Sequence, residues 1–385
     1  MVLGGVLAFE GVLQRLCGGR GFDQFVGTRS VSEKHRFDEV ALTQWLEQNL
    51  AGFEGPLTVE MFKGGQSNPT YQLVTPHMTY VMRAKPGPVA KLLPSAHAIE
   101  REYKVMSALG STDVPVAKML AICEDESVIG RAFYIMEFVK GRILWDQALP
   151  GMTEQERGEI YQEMNRVIAT LHKVNVQACG LADYGKPGNY FERQIGRWSK
   201  QYVASITEPI TEMDQLMAWL PGNIPEQAKD EKLSSIVHGD FRLDNLMFHP
   251  TEPKVLAILD WELSTLGHPF ADFSYHAMAW HIPPGAFRGI GGLDHQALGI
   301  PSEDDYIQAY CERTQFCTAQ ELKADWNFYM AYNLFRIAAI LQGIAKRAQQ
   351  GMASSDQAAG SSQGVRQLAQ LAWQFACQSQ AKKSS

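Results

Sequence analysis

The sequence predicts an α+β protein in which a small antiparallel β lobe with one helix is followed by a larger, mainly helical lobe. Two observations support this prediction. Short β-type runs separated by turn residues begin at Leu57, whereas after Gly151 the apolar residues recur at helical spacing. The strand-like segment EFVKGR connects the two regions. With 385 residues, the chain is long enough to form both lobes.

The β lobe is predicted from five strand-like runs and one helix. The runs LTVEMFK, TYQLV and TYVMRA are joined by GGQSN and TPHM, which predicts a three-stranded antiparallel meander. Ile99, Tyr103, Met106 and Leu109 lie at helical spacing and predict a helix over residues 96–109. Two more strands are expected in PVAKMLAICE and AFYIMEFV.

The helical lobe is predicted to begin with a capped, buried helix. Thr153 and Glu156 have the spacing of a capping box. The following apolar stripe indicates burial on one face, and it comprises Ile160, Met164, Val167, Ile168 and Leu171.

These patterns predict four segments along the chain. Residues 1–35 are expected to be a poorly ordered N-terminal extension, because they are rich in glycine and show no sustained period. The β lobe is expected over residues 36–140 and the helical lobe over residues 141–350. Residues 351–385 are expected to form a loose linker followed by a short helix near residues 368–375.

Composition limits the classes of function. The formal net charge of −7 argues against a general nucleic-acid-binding protein, which needs clustered Lys and Arg. The six cysteines are scattered and form no C-x-x-C pair, so neither a disulfide framework nor a zinc site is expected. The apolar opening MVLGGVLAF lacks a basic n-region, and no run is long enough to span a bilayer. We therefore expect a cytoplasmic location.

The segment IVHGDFRLDNLMFHPTEPKVLAILDWE carries the most specific chemical signal. Phosphoryl transfer needs a carboxylate that orients and accepts the hydroxyl proton, and oxygen ligands that hold Mg²⁺ on the triphosphate. Asp240 and Asn245 have the spacing of the base and the metal ligand in a kinase catalytic loop, and Asp260 ends the next apolar strand. The sequence therefore predicts Asp240 as the base and Asn245 and Asp260 as Mg²⁺ ligands.

Three further residues of this segment are candidates for other roles. His238 is expected to hold the loop in place rather than transfer protons. Arg242 is predicted to place a cation near the γ-phosphate, although a solvated loop arginine explains the residue equally well. Glu262 could assist binding of the metal or the substrate, or it could be a polar residue at a strand end.

The segments HGDFRLDNLMF and ILDWE resemble the aminoglycoside phosphotransferase and choline kinase-like superfamily, and the resemblance extends over residues 37–351. It implies a bilobal, protein-kinase-like fold. Four further segments resemble the kinase domain found in acyl-CoA dehydrogenases of the 10 and 11 type and in stand-alone bacterial relatives, namely YVMRAKP, REYKVMSAL, NYFERQIGRWSKQY and FYMAYNLFRIAAILQGIAKR.

The resemblance implies several nucleotide-binding residues. The hairpin loop would cover the triphosphate with Gly64, Gly65, Gln66, Ser67 and Asn68, although the same residues also suit an ordinary hairpin. Arg83 stands where most kinases keep a phosphate-binding lysine, and Glu102 matches the carboxylate that pairs with it. The alternative for Glu102 is a solvated residue on a charged helix face.

The segment YIMEFVKG resembles the hinge between lobes that reads adenine. Glu137 would accept a hydrogen bond through its C=O group, Val139 would donate one through its N–H group, and Met136 would line the pocket. A strand end that leads into a turn at Gly141 is the simpler alternative. Asp272 resembles the superfamily aspartate that braces the catalytic loop.

The leading hypothesis is a kinase that uses ATP or GTP and Mg²⁺ to phosphorylate the hydroxyl group of a small molecule. The subgroup resemblance implies hydroxyacyl-CoA thioesters as acceptors, and Arg193, Arg197 and Lys200 favour an anionic substrate. An aminoglycoside kinase and a catalytically silent nucleotide-binding module are the alternatives. A protein kinase is disfavoured because the region after Asp260 has no A-P-E element.

Overall fold

The computed structural model describes residues 27–63, 68–86, 98–186, 188–285, 289–347, 349 and 355–384. For residues 355–362 and 382–384 only the backbone is described. Within these ranges, no helix combines the length and the apolar character that crossing a membrane requires.

The N-terminal part consists of a sheet with two helices. Its elements are β1 (Thr28–Arg29), α1 (Glu39–Asn49), β2 (Thr58–Phe62), β3 (Thr70–Val74), β4 (Thr79–Ala84), α2 (Ile99–Leu109), β5 (Met119–Cys123) and β6 (Phe133–Glu137). Among the described residues the strand order is β1-β2-β3-β4-β6-β5, and each neighbouring pair is antiparallel. The predicted meander β2-β3-β4 and the predicted helix α2 are confirmed.

The sheet order places β4 and β6 side by side. β4 pairs with β6 instead of β5, so that Arg83 lies opposite Tyr134 and Tyr80 lies opposite Glu137. One face of the sheet packs on α1 through Leu42, Leu46, Leu73 and other buried residues. The predicted phosphate-binding strand is therefore the neighbour of the predicted hinge strand.

The C-terminal part is mainly helical. Its helices are α3 (Glu154–His172), α4 (Tyr190–Ser205), α5 (Thr211–Trp219), α6 (Pro269–Ala277), α7 (His295–Leu298), α8 (Glu303–Thr314), α9 (Ala319–Ala324), α10 (Trp326–Arg347) and α11 (Ser355–Ser384). The capping box between Thr153 and Glu156 is present at the start of α3, and the predicted apolar stripe is buried. The α+β class with a helical C-terminal part is confirmed.

Within this helical part, short strands form much of the predicted catalytic segment, residues 236–262, and pair with it. They are β7 (Arg142–Ile143), β8 (Ser235–Val237), β9 (Leu246–Phe248), β10 (Val255–Ile258) and β11 (Thr265–Gly267). β10, β9 and β7 form one small antiparallel sheet, and β11 pairs with β8. Each predicted acidic residue of the motif directly follows, or lies close behind, one of these strands.

At both chain ends, the described residues are more regular than the sequence led us to expect. Residues 1–26 lie outside the described residues, but Thr28 and Arg29 form a strand that pairs with Phe62 and Met61. The strand is two residues long, which is too short for an alternating side-chain pattern to appear in the sequence.

The tail is more regular than predicted. α11 extends over Ser355–Ser384, where a loose linker and a short helix were expected. Its alanine and glutamine residues favour a helix, and it packs against the core through Val365, Leu368, Ala369, Ala372 and Ala376. The low apolar content of its first turns made the segment resemble a linker.

Candidate active site

The loop after β8 has a fixed backbone. Gly239 has a φ of +82°, and a Cβ atom at this position would lie 2.9 Å from the carbonyl oxygen of Leu263, so the position requires glycine. His238 Nε2 lies 2.9 Å from the carbonyl oxygen of Leu259, while its Nδ1 accepts a bond of 3.3 Å from the backbone N–H of Asp240. This pair of contacts assigns the donor role to Nε2 and the acceptor role to Nδ1, and it agrees with a holding role for His238.

Asp272 holds the same loop from α6. Its carboxylate accepts hydrogen bonds from the backbone N–H groups of His238 at 2.7 Å and Gly239 at 2.8 Å. His172 Nε2 lies 3.2 Å from the same carboxylate. Burial alone would raise the pKa of Asp272, but His172 and His238 together lower it. Asp272 therefore occupies the bracing position that the sequence predicted.

Asp240 is buried, with 4% of its surface exposed. Asn245 Nδ2 donates to Asp240 Oδ2 at 3.0 Å, and the Tyr275 hydroxyl donates to Oδ1. Arg242 Nε lies 3.1 Å from Oδ1. Burial raises the pKa of Asp240, and Arg242 and Tyr275 act against this rise. A carboxylate with a raised pKa has a greater affinity for a proton, which suits a general base.

Arg242 is not a solvated loop residue. Its guanidinium group lies 3.1 Å from Asp240 and 3.2 Å from Asp244, and 13% of its side chain is exposed. Its charge therefore acts directly on the predicted base.

Asn245 and Asp260 turn towards a common cleft. Asn245 Nδ2 donates to both the carbonyl oxygen and the carboxylate of Asp240, which directs the amide oxygen of Asn245 away from that residue. Asp260 has a left-handed backbone with φ at +65°, directly before the buried Trp261. The Trp261 indole donates to the carbonyl oxygen of Ile258 and thereby fixes the chain around Asp260.

Arg83, on β4, contacts three acidic residues. Its Nε lies 3.0 Å from Glu102, and its terminal nitrogen lies 3.1 Å from Asp260 and 3.5 Å from Glu262. Burial opposes the charge of Arg83, but the carboxylates of Glu102 and Asp260 raise its pKa. Glu102 thus contacts Arg83, as predicted. Glu262 also contacts Arg83, whereas the sequence did not indicate a partner for Glu262.

Glu102 is held by two further side chains. Asn68 Nδ2 donates to one carboxylate oxygen at 2.9 Å, and the Tyr134 hydroxyl donates to the other at 3.1 Å. Asn68 is fully buried, so its side chain supports Glu102, whereas the sequence predicted that it would cover the triphosphate. The other predicted loop residues, Gly64, Gly65, Gln66 and Ser67, lie outside the described residues.

The acidic groups at this place fit a magnesium ion. Within the described ranges, Glu262 Oε1 is buried and has no hydrogen-bond partner. Burial and the neighbouring charge of Asp260 hold the pKa of Glu262 well above its usual value. A cation would relieve this excess of carboxylates, and carboxylate and amide oxygens are the ligands that Mg²⁺ prefers.

A cleft of about 240 Å³ lies between β4, β6 and the catalytic segment. Glu137 and Val139 line it, in agreement with a hinge at this position. Its remaining lining combines apolar and polar side chains, among them Val81, Met106, Ala117, Met136, Ile143 and Ile258 on the one hand and Arg83, Glu102, Asn245 and Asp260 on the other. An apolar slot beside charged groups suits a nucleotide base attached to phosphates.

The three cations predicted for the acceptor lie in different surroundings. Arg193 donates to the carbonyl oxygen of Lys186 at 2.6 Å. The Arg197 guanidinium carbon lies 5.2 Å from the centre of the Trp198 indole. Lys200 is exposed.

Sequence reasoning missed two residues that contact the loop after β8, which we call the catalytic loop. Tyr275 follows Asp272 by one helical turn, so the helical period could have placed both on the loop. Arg336, on α10, donates to the carbonyl oxygen of Gly239 at 2.7 Å. No local sequence pattern predicts that contact.

Comparisons with known proteins identify the family and the fold. The family model described as "Phosphotransferase enzyme family" matches residues 58–311. "Acyl-CoA dehydrogenase family member 10" of Mus musculus is 44% identical over 362 residues, which are 92% of this chain and 33% of that protein. The chain therefore spans about a third of the length of this relative.

Two solved structures are similar in fold. A candidate aminoglycoside phosphotransferase from Ralstonia eutropha JMP134 is 63% identical, with a TM-score of 0.82 and coverage of 89% of this chain and 99% of that chain. A thermostable mutant of the aminoglycoside phosphotransferase APH(4)-Ia, solved with ADP and hygromycin B, is 14% identical, with a TM-score of 0.55 and coverage of 85% of this chain and 97% of that chain. The predicted resemblance and the kinase-like fold are confirmed.

Proposed function

Because the chain belongs to the phosphotransferase enzyme family, we propose that it is a kinase that transfers the γ-phosphoryl group of ATP or GTP to a hydroxyl group of a small molecule. One observation carries the proposal: Asn245 is hydrogen-bonded to Asp240 and lines the same cleft as Asp260. This arrangement would supply a base and two metal ligands at one site, as phosphoryl transfer requires.

The nucleotide would occupy the cleft, with its base near Glu137 and Val139. Asn245 and Asp260 would hold Mg²⁺, and Glu262 adds a carboxylate beside them. The ion would supply positive charge that neutralises the triphosphate. Arg83 would contact the α- and β-phosphates while Glu102 holds it from the sheet side.

Asp240 would accept the proton of the acceptor hydroxyl group. Asn245 and Tyr275 fix its carboxylate by hydrogen bonds, so little reorganisation is needed when the acceptor binds. Arg242 would stabilise negative charge close to the transferred group. The raised pKa of Asp240 increases its affinity for the proton.

Hydroxyacyl-CoA thioesters, in particular 4-hydroxyacyl-CoA, are the acceptors to test first. The name of the mouse relative contains acyl-CoA, and the matched part is similar to this chain at 44% identity. An aminoglycoside is the second candidate, because the Ralstonia protein and the structure with hygromycin B carry that description. Exposed cations such as Arg197 disfavour a polycationic antibiotic through charge repulsion.

A panel of acceptors separates these candidates. The purified chain is incubated with Mg²⁺ and either ATP or GTP, together with 4-hydroxyacyl-CoA thioesters, free 4-hydroxy acids, kanamycin or hygromycin B. Mass spectrometry then detects addition of a phosphoryl group to each acceptor. We expect transfer to a hydroxyacyl compound and little transfer to the antibiotics. Faster phosphorylation of an antibiotic would establish the second candidate, and nucleotide binding without any transfer would indicate a silent module.

A further inference from the structure

Two arginines flank the same indole ring next to the catalytic loop. The guanidinium carbon of Arg197, on α4, lies 5.2 Å from the centre of the Trp198 ring. That of Arg336, on α10, lies 5.8 Å from the same centre. Arg336 is buried, whereas Arg197 is exposed and can be reached from solvent. The pair therefore presents a deep cation and an accessible one at a single place.

Arg336 is tied to the residues around the predicted base. It donates to the carbonyl oxygen of Gly239 at 2.7 Å, directly before Asp240 in the chain. Its guanidinium carbon also lies 5.1 Å from the ring centre of Tyr275, whose hydroxyl donates to Asp240. A group bound by Arg336 would consequently lie close to the hydroxyl that Asp240 deprotonates.

The charge of this pair is not balanced in the way of Arg83 and Arg242, the two arginines of the candidate active site. Arg83 and Arg242 each contact at least two carboxylates. Within the part of the chain that the structure describes, neither Arg197 nor Arg336 has a carboxylate in ion-pair contact.

The pKa of Arg197 is lowered by its surroundings. Desolvation by the surrounding protein lowers the pKa of Arg197, and the like charge of Arg336 lowers it further. Burial opposes the charge of Arg336, but Tyr332, Tyr190, Tyr275 and Asp240 raise its pKa without an ion-pair contact. Two adjacent cations that no carboxylate of the described residues contacts directly favour a ligand that brings negative charge or strong acceptor oxygens.

We propose that Arg197 and Arg336 hold the carboxyl end of a hydroxy-acid acceptor, either as a free carboxylate or as the carbonyl oxygen of its thioester. The inference rests on the proposed kinase function. The guanidinium fork matches carboxyl oxygens, and the bond to Gly239 uses only one of the several N–H donors of Arg336.

The position of the pair determines which part of the acceptor it holds. The contact with Gly239 places Arg336 beside Asp240. A carboxyl oxygen bound there would be separated from the reacting hydroxyl by only a few covalent bonds of the acceptor. The phosphates of CoA are separated from the acyl hydroxyl by the pantetheine arm, so they are too distant to serve as this group. The pair would therefore select for a short spacing between carboxyl and hydroxyl groups.

Calorimetric binding in the presence of Mg·ADP tests the site independently of turnover. The probes are 4-hydroxybutanoate, its CoA thioester and the neutral 1,4-butanediol. In Arg197→Gln, we expect Kd for the preferred carboxyl probe to rise about tenfold or more, the scale of one charge-assisted hydrogen bond. Kd for Mg·ADP should not change, because Arg197 is not in the nucleotide cleft.

Arg366→Gln is the matched control, since it makes the same substitution at an exposed arginine paired with Glu208. It should leave every Kd within about twofold. The free acid and the thioester together identify which form of the carboxyl group binds. The inference is overturned if Arg197→Gln behaves like the control, if 1,4-butanediol binds as tightly as the carboxyl probes, or if no carboxyl probe binds to the wild type.

The same experiment separates this inference from the proposed function. If a carboxyl probe binds in an Arg197-dependent manner but acquires no phosphoryl group, the site stands and the kinase assignment fails. If alcohols without a carboxyl group are phosphorylated and Arg197→Gln has no effect, the kinase assignment stands and the site is wrong.

Discussion

Replacing Arg83 with methionine should strongly destabilise the protein at neutral pH. Methionine keeps an unbranched side chain of similar length but removes the charge that faces Glu102, Asp260 and Glu262. Glu102 is almost fully buried, so it cannot exchange its partner for water. The variant therefore leaves buried carboxylates without a counter-ion.

The size of the effect follows from the burial of each partner. Removing one member of a buried ion pair typically costs about 3–5 kcal/mol. The Glu102 contact should contribute most, because its side chain is 2% exposed and that of Arg83 is 12% exposed. Asp260, at 28%, is partly screened by water and contributes less. We expect a loss of about 3 kcal/mol or more in the free energy of unfolding.

The loss should depend on pH with a defined sign. Burial raises the pKa of Glu102 and Glu262 in the folded state, and Arg83 counteracts this rise. A carboxyl group whose folded-state pKa is raised contributes stability below its unfolded pKa, and this contribution is lost as pH rises through the folded value. Removing Arg83 raises the folded-state pKa values of Glu102 and Glu262 further. The loss in the free energy of unfolding should therefore be largest near pH 8 and smallest near pH 4.

Urea unfolding followed by circular dichroism measures these quantities at both pH values. Lys104→Met is the control, because it breaks an exposed pair with Asp183 whose side chains are 45% and 77% exposed. It should cost no more than about 1 kcal/mol. Arg83→Lys keeps the charge and should retain most of the stability. A loss in Arg83→Met below about 1 kcal/mol, or one that is the same at both pH values, would refute the reasoning.

Two further predictions concern the metal site and the loop brace. Asp260→Ala should abolish Mg²⁺-dependent binding of ATP in calorimetry and Asn245→Ala should weaken it less; wild-type affinity in Asp260→Ala would contradict the metal assignment. Asp272→Asn should lower stability by about 2 kcal/mol or more in thermal unfolding, because it removes the charge that accepts two backbone hydrogen bonds. Since the pKa of Asp272 is lowered in the folded state, its contribution is lost as pH falls, and the gap to the wild type should narrow at acidic pH. A gap that widens there would be inconsistent with a charged Asp272.

The catalytic segment could be predicted because its geometry is local. Asp240 and Asn245 lie in one loop, and Asn245 donates to both the backbone and the side chain of Asp240. Asp260 follows β10, which pairs with the strand directly after that loop. Spacing along the chain therefore determines spacing in the structure.

Contacts between distant parts of the chain could not be predicted in the same way. Arg336 and Gly239 are 97 residues apart, and their contact depends on how α10 packs beside the catalytic loop. Asn68 was expected at the phosphates, but the fold places it against Glu102 in a fully buried position. Side-chain partners of this kind are determined by tertiary packing, which short sequence patterns do not encode.

The order of the strands was also beyond the sequence patterns. The runs that became β5 and β6 were recognisable, but the pairing of β4 with β6 joins segments separated by a helix and another strand. Alternation of apolar residues indicates that a strand exists and which face is buried, but not which strand is its neighbour.

The most direct test of the account compares wild type and Asp240→Asn on the best acceptor from the panel. Phosphoryl transfer is followed by mass spectrometry, and Mg·ATP affinity is measured by calorimetry on the same preparations. The account predicts that turnover falls by at least ~10²-fold, the scale of general-base loss, while Kd for Mg·ATP stays within a few-fold. Near-wild-type turnover in Asp240→Asn would contradict the assignment of Asp240 as the base.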